Sequence, residues 1–312
     1  MARRLQNRVS ESRLTLPVMT VYAILVWLAG GLIVSQLWVQ FACFALSTYL
    51  IVELNNSNAL IRVYSRMVSC AFLALSGAAC FLFNSIGGNA IGLCVIAAYT
   101  MLFRSYQDRN SPGKTFYAFA CIGLASVFNI HILYFVPVIW LMMAFFIMSA
   151  SWRTMCASVL GLCVPYWFAG AYLIYTDNLR QLSGHFVPLA QLGSPFDYTH
   201  LSPGTAVTLA FMTVIGLAGM THYVRQSHND KIRTRMFYNC FITMELVSIV
   251  FFMVQPQHSD MLTRMMVINT SPLAAHFLAL THTRLTNIAF CAIVAATIIL
   301  TACNLWMPYM TF

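Results

Sequence analysis

Glu245 has the most chemistry to offer in this chain, and it sits in an unpromising place. It lies near the middle of the apolar run 237–254. A carboxylate at the centre of a membrane helix costs about 2.5–3.5 kcal/mol on insertion scales, so it calls for a partner or a bound proton. The next apolar run, 261–280, supplies partners. If the two runs fold about a turn near Gln257, residues equally far from that turn share a depth. Glu245 then faces Asn269, Thr270 and Ser271, and Asn239 faces His276. Pro272 removes a backbone donor at the same level. Arg264 lies nearer the outer end and is expected to snorkel outward. The intramembrane cluster is thus Glu245, Asn269, Thr270, His276 and Arg264, with Glu245 as a proton or cation site and His276 as a relay. The alternative is plain interhelical hydrogen bonding.

Three further groups have chemical potential. Arg62 and Arg66 are four residues apart and would share a helical face. Their planar forks suit the phosphate of a phospholipid or a polyprenyl phosphate; the alternative is a charge signal facing anionic headgroups. Asn129 and His131 form the only polar break in a long apolar stretch and mark a turn there. Arg180, Asp197 and His200 lie in an outer segment, where the three-residue spacing of Asp197 and His200 is compatible with a metal or an acid–base pair, though such pairs arise often by chance. Gly88 and Gly92 form a GxxxG, a hint of close helix packing. HExxH, P-loop, GxSxG and nucleic-acid-binding motifs are all absent. No catalytic residue is assigned, no metal or cofactor is expected, and nucleic acid is not an expected partner.

The elements that must position these residues are membrane helices. The chain is 60% hydrophobic and 8% charged, against about 25% charged in soluble domains. Its net charge of +9 fits Lys and Arg held on the cytoplasmic side. The ten cysteines contain no CxxC and read as small packing residues. The stretch from Thr115 to Tyr175 organises the rest. Read as one helix, 116–150 would be about 50 Å long at 1.5 Å per residue, against a hydrocarbon core of about 30 Å. It is therefore expected to fold into a hairpin at Asn129 and His131, spanning fully or re-entrant. The fold expected is an all-α, polytopic transmembrane helix bundle. Its eleven spans are 15–35, 37–53, 66–83, 86–103, 116–130, 132–150, 155–175, 205–223, 237–254, 261–280 and 285–306. With the basic segment 1–14 in the cytoplasm, fifteen of the seventeen Lys and Arg residues fall inside, and only Arg180 and Arg264 fall on the other side. The C-terminus, with Trp306, Pro308 and Tyr309, is then outside. Residues 15–312 form one integral membrane domain. In the external segment 176–204, Leu179, Leu182, Phe186, Leu189 and Leu192 recur at helical spacing and predict an interfacial helix.

GLAS at 123–126, FVP at 135–137, Trp152-Arg153 and VLGLCVPYWF at 159–168 resemble an uncharacterised family of multi-pass inner-membrane proteins from Bacteroidota. Glu53-Leu54-Asn55-Asn56 followed by Arg62 is similar to that family's earlier polar segment. The resemblance covers about 50–175. It implies the inner (cytoplasmic) membrane and a role at the cell envelope, and it carries no catalytic residues.

Three functions follow as expectations. The first is transfer or translocation of a lipid-linked or other amphipathic substrate in envelope biogenesis. The second is a proton- or ion-coupled transporter of small molecules built on Glu245. The third is a non-catalytic subunit held by a membrane protein partner in an envelope complex.

Overall fold

The computed structural model describes residues 4–191, 193–199 and 201–306. Thirteen α-helices are found among them: α1 (Leu5–Glu11), α2 (Thr15–Ala29), α3 (Trp38–Asn58), α4 (Met67–Ala78), α5 (Ile86–Phe103), α6 (Pro112–Phe128), α7 (Val136–Phe145), α8 (Trp152–Tyr175), α9 (Leu179–Ala190), α10 (Pro203–Gln226), α11 (Ile232–Val254), α12 (Ser259–Leu280) and α13 (Arg284–Trp306). His200, Pro308 and Tyr309 lie outside the described residues. Six helices (α3, α5, α8, α10, α11 and α13) are long and apolar enough to cross a membrane, and α1 with α2 makes a seventh only as a pair bent by 90°. The protein is an all-helical membrane bundle.

Each of the eleven expected spans contains a helix, yet only six helices qualify by length and composition. Local chemistry explains the shortfalls. The first expected span stops early because α2 ends at a left-handed glycine: Gly31 has φ 91°, and the Leu32 N–H reaches back to Trp27 O at 3.1 Å. α4 closes after twelve residues in a 3₁₀ turn, Cys80–Leu82. The second arm of the hairpin is a 3₁₀ segment, Ile130–Phe135, leading into the ten residues of α7. α12 has 22 residues but carries Thr263, Arg264, Asn269, Thr270, Ser271 and His276.

That polarity places α12 on the axis of the bundle. Every residue from Met261 to His276 is buried, with α4, α5, α10, α11 and α1 packed around it. In lipid, apolar side chains lose nothing by facing outward, so polar groups are driven inward. The outer helices show the complement. Along α8, Trp152, Trp167 and Tyr175 are 83%, 80% and 89% exposed. The inner side of α8 meets α6 through glycines: a Cβ at Gly161 would lie 2.5 Å from Phe116 O, and one at Gly123 2.7 Å from Leu162 O.

The connecting segments bond to one another in two groups, at opposite ends of the helices. At one end Ser65 Oγ donates to Ser10 O, Gln107 N to Ile147 O, Ser151 Oγ to Arg109 O, and Arg233 to Asn58 Oδ1. The Gln6 amide, on α1, donates to Leu278 O and the Thr281 hydroxyl. At the other end Tyr134 Oη donates to Leu189 O, Phe196 N to Val254 O, and Gln255 Nε2 to Gly193 O. Both ends of the α6–α7 hairpin belong to the first group, and its turn belongs to the second.

Candidate functional sites

Glu245 lies on the face of α11 that meets α12 and is wholly buried. The Thr270 hydroxyl donates to its Oε1 at 2.7 Å, the partner expected from equal distance to the turn. Oε2 has no partner. Gly216 on α10 makes the room, since a Cβ there would come within 2.8 Å of Oε1. Asn269 turns to a different helix and accepts from Tyr99 Oη on α5 at 2.8 Å. Neither the groove beside the hairpin turn nor the small cavity beside Arg264 is lined by Glu245.

His276 does not face Asn239. Its Nε2 meets Asp230 Oδ2 at 2.9 Å, and its Nδ1 lies 3.3 Å from His222 Nδ1. A carboxylate only accepts, so Nε2 carries the proton toward Asp230, and His222 Nδ1 donates into the free Nδ1 of His276. Arg62 reaches Asp230 Oδ1 at 4.0 Å. The result is a chain running Arg62, Asp230, His276, His222. Among the described residues no group of three His, Cys, Asp or Glu side chains is arranged to hold a metal ion. Sequence reasoning missed Asp230 and His222. Asp230 sits in a polar connection that reads as solvated, and it is buried because the chain turns back under α12.

The expected Arg62–Arg66 helical face does not form. α3 ends where Ala59 adopts φ 46°, and residues 60–66 are not helical. Arg62 is committed to Asp230, and Arg66 bonds Tyr64 Oη at 3.2 Å. Arg264 does not snorkel. It is 8% exposed, and its guanidinium donates to Asn89 Oδ1 and Leu82 O. The expected cluster of five is therefore four separate pairings spread along α12.

At the hairpin turn the Asn129 side chain accepts from His131 N, and the His131 ring stacks on His258 with centroids 3.9 Å apart. Burial, and then the neighbouring His131, push the His258 pKa down to about 4. Beside this turn a groove of about 490 Å³ runs between the 3₁₀ segment and the C-terminal half of α11, lined by Tyr134, Phe135, Leu246, Val250, Phe251 and Gln255 among others. Its wall is almost wholly apolar. Leu246 and Val250 are 44% and 60% exposed, so the groove opens sideways, toward lipid. The segment after α9 closes the end of the groove at the C-terminus of α11: Tyr198 Oη donates to Met253 O, and Gln255 is bonded to Gly193 O.

In the segment 176–204, Arg180 lies on α9, and Asp197 is engaged locally, accepting from the Thr199 N–H at 3.1 Å and its hydroxyl at 2.6 Å. Pairing with His200 falls outside the described residues. No family model, curated protein or solved structure matches this chain.

Proposed function

We propose that this protein handles a lipid-linked or other amphipathic molecule, by transfer or translocation, in the inner membrane of a cell envelope. The observation that carries the reading is the groove between the hairpin turn and α11. It offers one apolar wall to an acyl or prenyl chain and opens to the side, as entry from a bilayer requires. The His258 imidazole, packed against Phe251 of the groove wall, offers a hydrogen bond to a headgroup such as the phosphate of a phospholipid or polyprenyl phosphate. The inner-membrane and envelope setting rests on the resemblance of 50–175 to the Bacteroidota family.

We infer eleven crossings, some made by short helices, with the N-terminus inside and the C-terminus outside. The two groups of bonded connections support it, because the group containing Ser10, Arg62, Arg109 and Arg233 also gathers most of the basic residues. The test of function is a photoactivatable lipid phosphate, added to the purified protein and mapped by mass spectrometry. Adducts should fall on 131–135 and 246–258, and Val250→Trp, which fills the groove, should lower them at least fivefold. Labelling spread evenly over α8 and α13 would defeat the reading.

A second reading, a proton- or ion-coupled transporter, is favoured by Glu245 Oε2, a buried oxygen with no hydrogen-bond partner among the described residues. For it, Glu245→Gln should abolish uptake in vesicles while leaving expression intact, and unchanged uptake would remove it.

A further inference from the structure

Arg264 is a buried charge without a direct counterion, with Asp260 of the same helix acting on it only from beyond ion-pair distance. It is buried in α12, within the bundle, and among the described residues no carboxylate lies within ion-pair distance of it. Its two hydrogen bonds go to neutral acceptors, Asn89 Oδ1 and Leu82 O, and its Nε has no partner. The guanidinium lies flat on the first turn of α5, where a Cβ at Gly88 would fall 2.4–2.5 Å from three of its atoms. That turn is the positive end of the helix dipole. Two positive fields therefore coincide inside the bundle.

Beside them is a cavity of about 50 Å³, bounded by α3, α4, α5 and α12. Arg264, Asn89, Ser47 and Ser76 line it, and neither serine hydroxyl has a hydrogen bond among those found in the described residues. Gly92 forms part of the wall: a Cβ there would meet nothing within 4 Å. The space suits one or two molecules the size of water, about 30 Å³ each. It is too small for a phosphodiester headgroup.

We propose that this cavity is a binding site for a small monovalent anion of halide size, held by the Arg264 guanidinium with the hydroxyls of Ser47 and Ser76. The anion neutralises the buried cation and the α5 terminus together. Gly88 admits the guanidinium, and Gly92 leaves the anion its space. The site stands apart from the groove and does not depend on the function proposed for it.

The test is thermal unfolding of the purified full chain in detergent, with sodium gluconate replaced by sodium chloride or bromide at constant ionic strength. Halide should raise the midpoint by about 2–4 °C and saturate, as ligand linkage requires. Gly92→Val puts its side chain into this space, where a Cβ meets nothing within 4 Å, so it should keep its midpoint in gluconate and lose the halide response. Ser47→Ala, which deletes one ligand and leaves the packing, should shift saturation to at least fivefold higher halide. A halide response equal in wild type and both variants would be a general salt effect and would overturn the proposal. So would no halide response in wild type, which would mean the cavity holds water only. If Gly92→Val fails to fold, Ser47→Ala decides alone by the same criterion.

Discussion

At the scale of single residues, the buried acids and imidazoles respond to change in different ways. His258 lies between α11 and α12, stacked on His131, and burial holds its pKa near 4, below the usual value of about 6.5. Between those values the unfolded chain binds a proton that the folded one refuses. Stability is then complete above about pH 6.5 and is lost progressively toward pH 4. The unfolding midpoint should fall across that window, and His258→Gln should flatten the fall; an unchanged slope would contradict the assignment. Asp230 answers differently, because its carboxylate is the sole partner of His276 Nε2. Asp230→Ala leaves that nitrogen buried and unpaired, at a cost of about 1–3 kcal/mol. Asp230→Asn keeps an acceptor and should recover part of the loss, which chemical denaturation would read. Glu245 and Thr270 were legible in the sequence because both lie equally far from one short turn. Asp230 was not legible, because a Ser-His-Asn-Asp-Lys stretch carries no sign that it turns inward. Arg264 was expected at the surface. The clue that it turns inward, Gly88 and Gly92, has the spacing of a helix contact, and nothing in the sequence marks it as a slot and a space.

At the scale of elements, the α6–α7 hairpin depends on two glycines more than on its own helices. α7 is only ten residues long, so neighbours must hold it. α6 is held by α8 at backbone contact, through Gly123 and Gly161. A side chain at Gly161 would strike Phe116 O, which cannot rotate away, so the helices must separate. Overpacking of this kind costs about 1–3 kcal/mol, more when backbone must move. Gly161→Leu should therefore lower the unfolding midpoint, whereas Gly184→Leu, at a position with open space around it, should not. Equal effects would show that the α6–α8 contact is not what secures the hairpin. The apolar runs betrayed the existence of all these helices. Their lengths depended on features no hydropathy window reports: a left-handed Gly31, a left-handed Ala59 and the 3₁₀ start of α7. The polar composition of α12 hides a central helix from any test of apolarity, for the reason that makes it central. Its polar groups are met partly by the helices wrapped around it and partly by carbonyls of its own preceding turn.

At the scale of the whole molecule, the placement of the groove in the outer half of the bilayer depends on how the chain is threaded. Asn110 stands at the end of the bundle that also holds Ser10 and Arg233, and Asn178 at the end that holds Gln255. Between them run α6, α7 and α8. If these make three crossings, Asn110 and Asn178 face opposite sides of the membrane. If α6 and α7 together made one crossing, the two would share a side and every later helix would be inverted. Single cysteines at these positions separate the cases, in a background where the exposed Cys156, Cys163, Cys291 and Cys303 are replaced by serine. A membrane-impermeant maleimide should label Asn178→Cys in intact cells, and Asn110→Cys only after permeabilisation. Asn129→Cys adds the depth of the turn: labelling from outside marks a hairpin that crosses fully, and protection both before and after permeabilisation marks a re-entrant one. Labelling of Asn110→Cys in intact cells would invert the threading. It would also move His131, His258 and the mouth of the groove to the cytoplasmic face, so that any lipid phosphate would have to arrive from inside the cell.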